Sequence, residues 1–276
     1  MIAFASNSLL CRAALKQTSI DAASFTFVRI FSGAVALWLI VNVRRIMGST
    51  SGIRLGGNWI SALALFLYAA GFSFAYVDVA AGTGALLLFG AVQATMILWG
   101  LHKGEHLRVI QIIGLIVAMI GLVVLLFPGL SAPPLFGSIL MLGAGIAWGI
   151  YSLRGKGEKN PATVTAGNFA RAVPFAAVVS IIFLPRLHLD LAGVTCAIIS
   201  GAITSGLGYV IWYSALPSLK ATSAATVQLS VPVLAAAGGI LLLGEALTLR
   251  YLLASIAVLG GIALVILEKR RTPAEL

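Results

Sequence analysis

The stretch RVIQIIGLIVAMIGLVVLLF, residues 108–127, carries a charge on its first residue and none on the nineteen that follow. A helix needs about 20 apolar residues to cross the hydrocarbon core of a bilayer. In lipid every backbone N–H and C=O must be satisfied within the segment, so a stretch of this kind is a helix. Similar stretches recur along the whole chain, and short gaps between them hold nearly all the charge. The predicted spans are 1–15, 22–41, 55–75, 79–101, 108–127, 134–153, 163–184, 191–215, 220–243 and 249–268. The expected fold class is an all-α membrane protein with ten transmembrane helices.

The punctuation agrees with those spans. Gly48 to Gly57 is a polar Gly/Ser-rich loop, a Pro128-Gly129 turn precedes Pro133-Pro134, and Lys159-Asn160-Pro161 opens the seventh span. In the first span Arg12 and Lys16 follow the apolar run. A signal peptide carries its positive charge ahead of that run, so residues 1–15 are expected to form a helix that begins at the membrane edge.

Composition removes other classes. The apolar fraction is 60% and the charged fraction 9%, against roughly 25% charged in a soluble domain, which leaves no room for a large soluble domain. Cys11 and Cys196 lie in or beside spans and read as helix packing, not as a disulfide framework. The net charge of +10 sits in loops between spans, so it reads as a topology signal and no nucleic acid partner is expected. With a cytoplasmic N-terminus, the inner loops hold Arg44, Arg45, Arg54, Lys103, Arg108, Arg154, Lys156, Lys159, Lys220, Lys269, Arg270 and Arg271, twelve residues. The outer loops hold Arg12, Lys16, Arg186 and Arg250, four residues. Lys and Arg are enriched in cytoplasmic loops, so both termini are expected in the cytoplasm. Trp38, Trp59 and Trp99, near span ends, suit interfacial anchors.

The second half of the chain echoes the first. A shift of 140 positions lays Gly104-Glu105 on Gly244-Glu245, Leu107 on Leu247, Gly121 on Gly261 and Thr83 on Ser223. A shift of 142 lays Phe27 and Arg29 on Phe169 and Arg171, and a shift of 144 lays Ala3-Phe4 on Ala147-Trp148. The two units, 1–130 and 131–276, then hold five spans each. An odd number inserts the second unit upside down relative to the first. Inverted repeats of this kind mark secondary transporters, with a substrate site near the midplane where the repeats meet.

These residues carry a resemblance. The Gly104-Glu105 and Gly244-Glu245 pairs, Gln111 to Gly114 with Gly121-Leu-Val, and Tyr251 to Gly260-Gly261-Ile-Ala-Leu resemble the drug/metabolite transporter superfamily, EamA type. Ala3 to Asn7 and Ile146-Ala-Trp-Gly149 fit the same pattern, and the resemblance covers essentially the whole chain. It implies a carrier in the bacterial inner membrane that exports amino acids, aromatic ones included, or other metabolites.

Polar side chains within a span are costly and face a cavity or another helix. Asn7, beside Ser6, can hydrogen-bond a substrate amino or carboxylate group or a neighbouring helix. Gln93, on one face with Phe89 and Met96, is a midspan amide that needs partners. Tyr68, Phe72 and Tyr76 form a stripe on the third span, Trp148 and Tyr151 share a face of the sixth, and Tyr209, Trp212 and Tyr213 cluster on the eighth. An apolar, aromatic-lined cavity with a few polar handles is ligand-site chemistry. The expected substrate-binding residues are Asn7, Tyr68, Phe72, Gln93, Trp148, Tyr151 and Tyr209. Arg29 and Arg171, at equivalent places in the two units, are expected to pair with Glu or with helix carbonyls at the repeat interface, and a direct grip on a substrate carboxylate ranks below that structural role. Pro232 should bend the ninth span. Gly145 with Gly149, and Gly201 with Ser205, read as close helix contacts within a monomer.

His102 to His106 matches H-x-x-E-H. It falls in a loop containing Gly104, so no metal is expected there. No phosphate loop is present for a nucleotide, and no cofactor is expected. All eight acids fall at span ends or in loops, whereas proton-coupled carriers keep acids or histidines within the membrane. Facilitated or weakly coupled movement of a small-molecule substrate follows. A channel-like pore, drug efflux and nucleotide-sugar exchange remain alternatives. An intramembrane enzyme ranks last, for want of a midspan catalytic constellation.

Overall fold

The computed structural model describes residues 1–46, 55–104, 106–127, 132–156, 158, 160–215 and 227–268. The helices are α1 (Ile2–Gln17), α2 (Ala22–Ile46), α3 (Trp59–Ala75), α4 (Ala81–His102), α5 (Val109–Leu126), α6 (Leu135–Gly155), α7 (Pro161–Ile182), α8 (Leu191–Ala215), α9 (Ser230–Leu243) and α10 (Leu249–Glu268). Among the described residues there is no strand. Seven of these helices, α2, α4, α5, α6, α7, α8 and α10, are long and apolar enough to cross a membrane, and α3 and α9 are shorter apolar helices. The protein is an integral, multi-pass membrane protein.

Local chemistry sets the helix starts. Asn58 caps α3, its side chain accepting from the Ser61 N–H, and so α3 begins at Trp59 rather than with the apolar run. Asp190 caps α8 through the Gly193 N–H, and Asp21 accepts from the N–H groups of Ala23 and Ser24 at the head of α2. Pro161 opens α7, where its missing N–H costs nothing. At its far end α2 outruns its oil as far as Ile46, carrying Arg44 and Arg45 in the last turn. Cations there complement the helix dipole. The ninth predicted span resolves differently from the expected bend. Residues 227 and 228 are helical, Leu229 is a turn, and the helix resumes at Ser230. The break falls just ahead of Pro232, which has no N–H to offer the Gln228 carbonyl. The rest of that span, 220–226, lies outside the described residues.

Small residues decide which helices touch. Between α5 and α10, Gly114 faces the Gly261 carbonyl and Gly261 faces the Gly114 carbonyl, so a methyl on either would strike backbone. Gln111 adds a hydrogen bond from Nε2 to the Val265 carbonyl across this seam. The opposite face of α5 turns Ile113, Ile116, Ile120 and Val123 outward. Helices in lipid gain nothing by hiding oil from oil and associate through close packing, which small residues permit. Gly145 abuts the Leu88 carbonyl and Gly149 abuts Thr95, bringing α6 onto α4 as the small-residue spacing predicts. Gly201 packs α8 against the Arg29 carbonyl of α2.

The main helix pairs are α5·α10, α4·α9, α2·α7, α3·α6, α4·α6, α2·α8, α3·α7, α1·α8 and α1·α9. Replacing each helix by the one five places along leaves the first three pairs unchanged. It turns α3·α6 into α8·α1, α4·α6 into α9·α1 and α2·α8 into α7·α3.

Candidate functional site

The middle of α3 is the reference point. Tyr68 lies one residue past its centre, and its neighbours come from α1, α2, α6 and α8. Trp148 of α6 is the hub of an aromatic cluster. Its ring centroid lies 4.8 Å from Tyr68, 4.8 Å from Tyr209, 5.5 Å from Tyr151 and 6.1 Å from Phe4. Phe72 stands 5.5 Å from Tyr68, and Phe169 stands 5.8 Å from Tyr209. The tilted and edge-on ring pairs are the arrangements the aromatic quadrupole favours.

A polar thread runs through the cluster. The Tyr68 hydroxyl accepts from Asn7 Nδ2 at 3.2 Å and from Arg29 Nη2 at 2.9 Å. Asn7 Oδ1 receives the Ser200 hydroxyl, and the Thr204 hydroxyl stands 3.3 Å away. Arg29 Nε donates to Ser205 Oγ at 3.3 Å. The three hydroxyls of α8 reach this side because the helix widens to a π-helix over Ile199–Leu207, a departure from α geometry that recurs at functional sites.

Arg29 is 2% exposed. Its guanidinium carbon lies 5.2 Å from the Tyr68 ring centroid and 4.8 Å from that of Phe72. Nη1 has no hydrogen-bond partner among the described residues, and the one ion pair found among them belongs to Arg12 and Glu245. Arg171, its counterpart by sequence, is settled otherwise, with Nη1 donating to the carbonyls of Gly56 at 2.7 Å and Gly167 at 2.9 Å. The expectation of a carbonyl partner therefore describes Arg171 and fails to describe Arg29.

Both ends of α3 are clasped. At its C-terminal end Arg12 Nε meets Glu245 Oε1 at 3.0 Å, and Arg12 Nη1 donates to the carbonyls of Tyr76 at 2.9 Å and Val77 at 2.7 Å. Glu245 Oε2 accepts from the Ala81 N–H at 2.8 Å. This joins α1, the α3–α4 turn and the α9–α10 turn. At the N-terminal end Arg154 donates to Ser61 Oγ at 3.0 Å and Asn58 Oδ1 at 3.1 Å. The Asn58 N–H donates in turn to Asn168 Oδ1 at 3.0 Å, joining α3, α6 and α7. Seventeen residues of α3 put about 25 Å between the two clasps.

The structure thus brings together Asn7, Tyr68, Phe72, Trp148, Tyr151 and Tyr209. It places Gln93 elsewhere, at the seam of α4 with α5 and α10 among Leu115, Ala118, Val258 and Ile262, where Nε2 is buried without a partner among the described residues. The sequence reading missed Ser200 and Thr204. Their signal was there, a row of hydroxyls at 200, 204 and 205 along one span. A separate groove of about 820 Å³ opens between α4, α5 and α6, lined by Leu98, Trp99, Met119, Leu122 and Ile146. It is apolar and lies away from the cluster. Glu105 lies outside the described residues, whereas His102 and His106 of the H-x-x-E-H pattern lie within them.

Residues 135–267 match the model of the EamA-like transporter family. The chain is also 56% identical over 266 residues to the protein PA1977 of Pseudomonas aeruginosa, covering 96% of this chain and 91% of that one. The chain belongs to the EamA-like transporter family. It is a membrane transporter rather than an enzyme. Another relative is the threonine/homoserine exporter RhtA of Salmonella typhimurium, 33% identical over 174 residues, which cover 60% of this chain and 58% of RhtA. A solved crystal structure shares the fold, with a TM-score of 0.67 at 18% identity over 97% of this chain and 98% of that one.

Proposed function

We propose that this EamA-like transporter exports small neutral metabolites, amino acids including aromatic ones among them, from the cytoplasm by alternating access. The observation that carries the proposal is the Trp148 cluster with its Asn7–Tyr68 thread, held midway along α3 between two clasps. An apolar, aromatic-lined volume with few polar handles suits a solute with an apolar side chain and a small polar head. The likeness to a threonine/homoserine exporter supports amino acids as the substrate class.

The proposed architecture is ten spans in two inverted five-helix units, 1–130 and 131–276, with both termini in the cytoplasm of a bacterial inner membrane and the carrier acting as a monomer. Support comes from the pair pattern, in which every main helix contact has a counterpart five helices along. The Lys/Arg distribution sets the orientation. Export then consists of releasing one clasp while the other holds. The Arg12–Glu245 clasp closes the outer end and the Arg154 clasp the inner end. Substrate leaves the Trp148 cluster when Arg12 and Glu245 part.

Transport is facilitated or weakly coupled. The described acids Asp21, Asp78, Glu158, Asp190, Glu245 and Glu268 lie at helix ends or between helices, and none faces the aromatic cluster. Counterflow of labelled phenylalanine and threonine in proteoliposomes tests the proposal. A carrier accumulates label transiently against unlabelled solute and saturates. Flux that rises linearly without counterflow would mean a pore, and tight proton stoichiometry would remove the facilitated mode.

A further inference from the structure

Arg29 is a permanent cation in the protein interior with no carboxylate on it among the described residues. Its side chain is built into place. Gly201 of α8 leaves no room for a Cβ against the Arg29 carbonyl, which fixes the backbone of α2. Ser205 holds Nε and the Tyr68 hydroxyl holds Nη2. The ring faces of Tyr68 and Phe72 cover the guanidinium. What remains is Nη1, buried and without a hydrogen-bond partner among the described residues. A buried cation held only by neutral groups is poorly compensated, and an ionisable residue within the membrane marks a functional site. The groups that hold it are an aromatic hydroxyl, an aliphatic hydroxyl and two rings, none of them anionic.

We propose that Arg29 is the carboxylate anchor of the substrate site, and that the transporter selects solutes carrying a carboxylate next to an apolar or aromatic body. The anchor deepens the export reading above and rests on it for the location of the site. A carboxylate brought to Nη1 and Nη2 is met by the planar fork that guanidinium presents, with two parallel N–H donors. Its charge cancels the one already buried there. The apolar body of such a solute lies toward Trp148 and Tyr209, the rings beside Tyr68. The amino group of an amino acid contributes no charge complement here, so a simple aryl carboxylate meets the same requirement.

The test is a thermal-shift titration of the purified full chain in detergent. The probes are phenylalanine, 3-phenylpropionate, phenylalaninamide and phenethylamine. The two carboxylates should protect the wild type at concentrations about thirty-fold below any at which the amide or the amine does, the penalty for leaving a buried charge unpaired. Arg29→Gln should erase that preference, and Arg29→Lys, which keeps the charge and loses the fork, should restore part of it. Equal protection by acid and amide, absence of protection by either carboxylate, or an acid preference surviving in Arg29→Gln would each overturn the anchor. If Arg29→Gln does not fold, the acid-to-amide ratio of the wild type decides alone. Carboxylates that bind through Arg29 without any counterflow would retain the anchor and remove the export reading. Counterflow of solutes lacking a carboxylate, at the rate of those that have one, would do the reverse.

Discussion

Single side chains in this protein divide by what surrounds them. Trp148 touches Phe4, Tyr68, Tyr151 and Tyr209, so Trp148→Ala should open a void at the centre and lower counterflow at least tenfold, read in proteoliposomes against wild type. Gln93 buries an amide nitrogen among aliphatic neighbours with no partner among the described residues. Gln93→Leu should therefore raise stability by about 1–2 kcal/mol, seen as a higher midpoint in detergent melting. A lower midpoint would show that the amide has a partner in solution. Six of the seven expected site residues lie together in the structure, and they were picked out because midspan aromatics and a midspan Asn are unusual in oil. Gln93 met the same criterion and went elsewhere, since polarity marks a residue that needs company without saying where it finds it. Arg29 was legible as an oddity, with a Glu or carbonyl partner ranked above a substrate carboxylate. Its partners lie on α3 and α8, at sequence distances of 39 and 176 residues, and no local pattern announces them.

At the scale of helices, the oily stretches located themselves, and their ends were set by caps. Leaving aside the ninth span, whose predicted start lies outside the described residues, predicted and observed starts differ most at α3, where Asn58 takes over from a run of glycine and aliphatic residues. Asp190 does the same work for α8. Its carboxyl is held below the usual aspartate range, chiefly by the Gly193 N–H. A depressed pKa means the cap contributes stability above the ordinary aspartate value and loses it as pH falls through the lowered one. Asp190→Ala should therefore melt below wild type at neutral pH and match it in acid, a convergence that a pH series of melting curves would reveal. Gly201 faces both the Arg29 carbonyl and the Ser32 hydroxyl of α2 with no room for a Cβ, so Gly201→Leu should separate α8 from α2 and cost more than about 2 kcal/mol, measured by the same melting.

For the whole molecule, the proposed repeat rests on a few spaced coincidences in the sequence, beside which stands the five-step exchange of helix pairs. What a sequence of this composition hides is which ends are shut, because that depends on a handful of long-range polar contacts. Arg12 and Glu245 are 233 residues apart and nearly buried together. Glu245→Gln should destabilise the clasp at the C-terminal end of α3 by about 3 kcal/mol. Cys11, fully buried beside Arg12, is a native reporter of this. In a Cys196→Ser background, a membrane-impermeant maleimide should label Cys11 several-fold faster once Glu245 is changed. Unchanged labelling would detach the ion pair from any gating role.

The widened turns of α8 hold one further implication. A segment bonded in five-residue steps has slack relative to the ordinary four-residue ladder. Taking up that slack would swing the flanking residues around the axis by about 100° for each position gained. Ser200, Thr204 and Ser205 would then turn off Asn7 and Arg29 together, without any helix having to unwind. Loading and unloading would in this way be a matter of register, a click of one residue within a single rod.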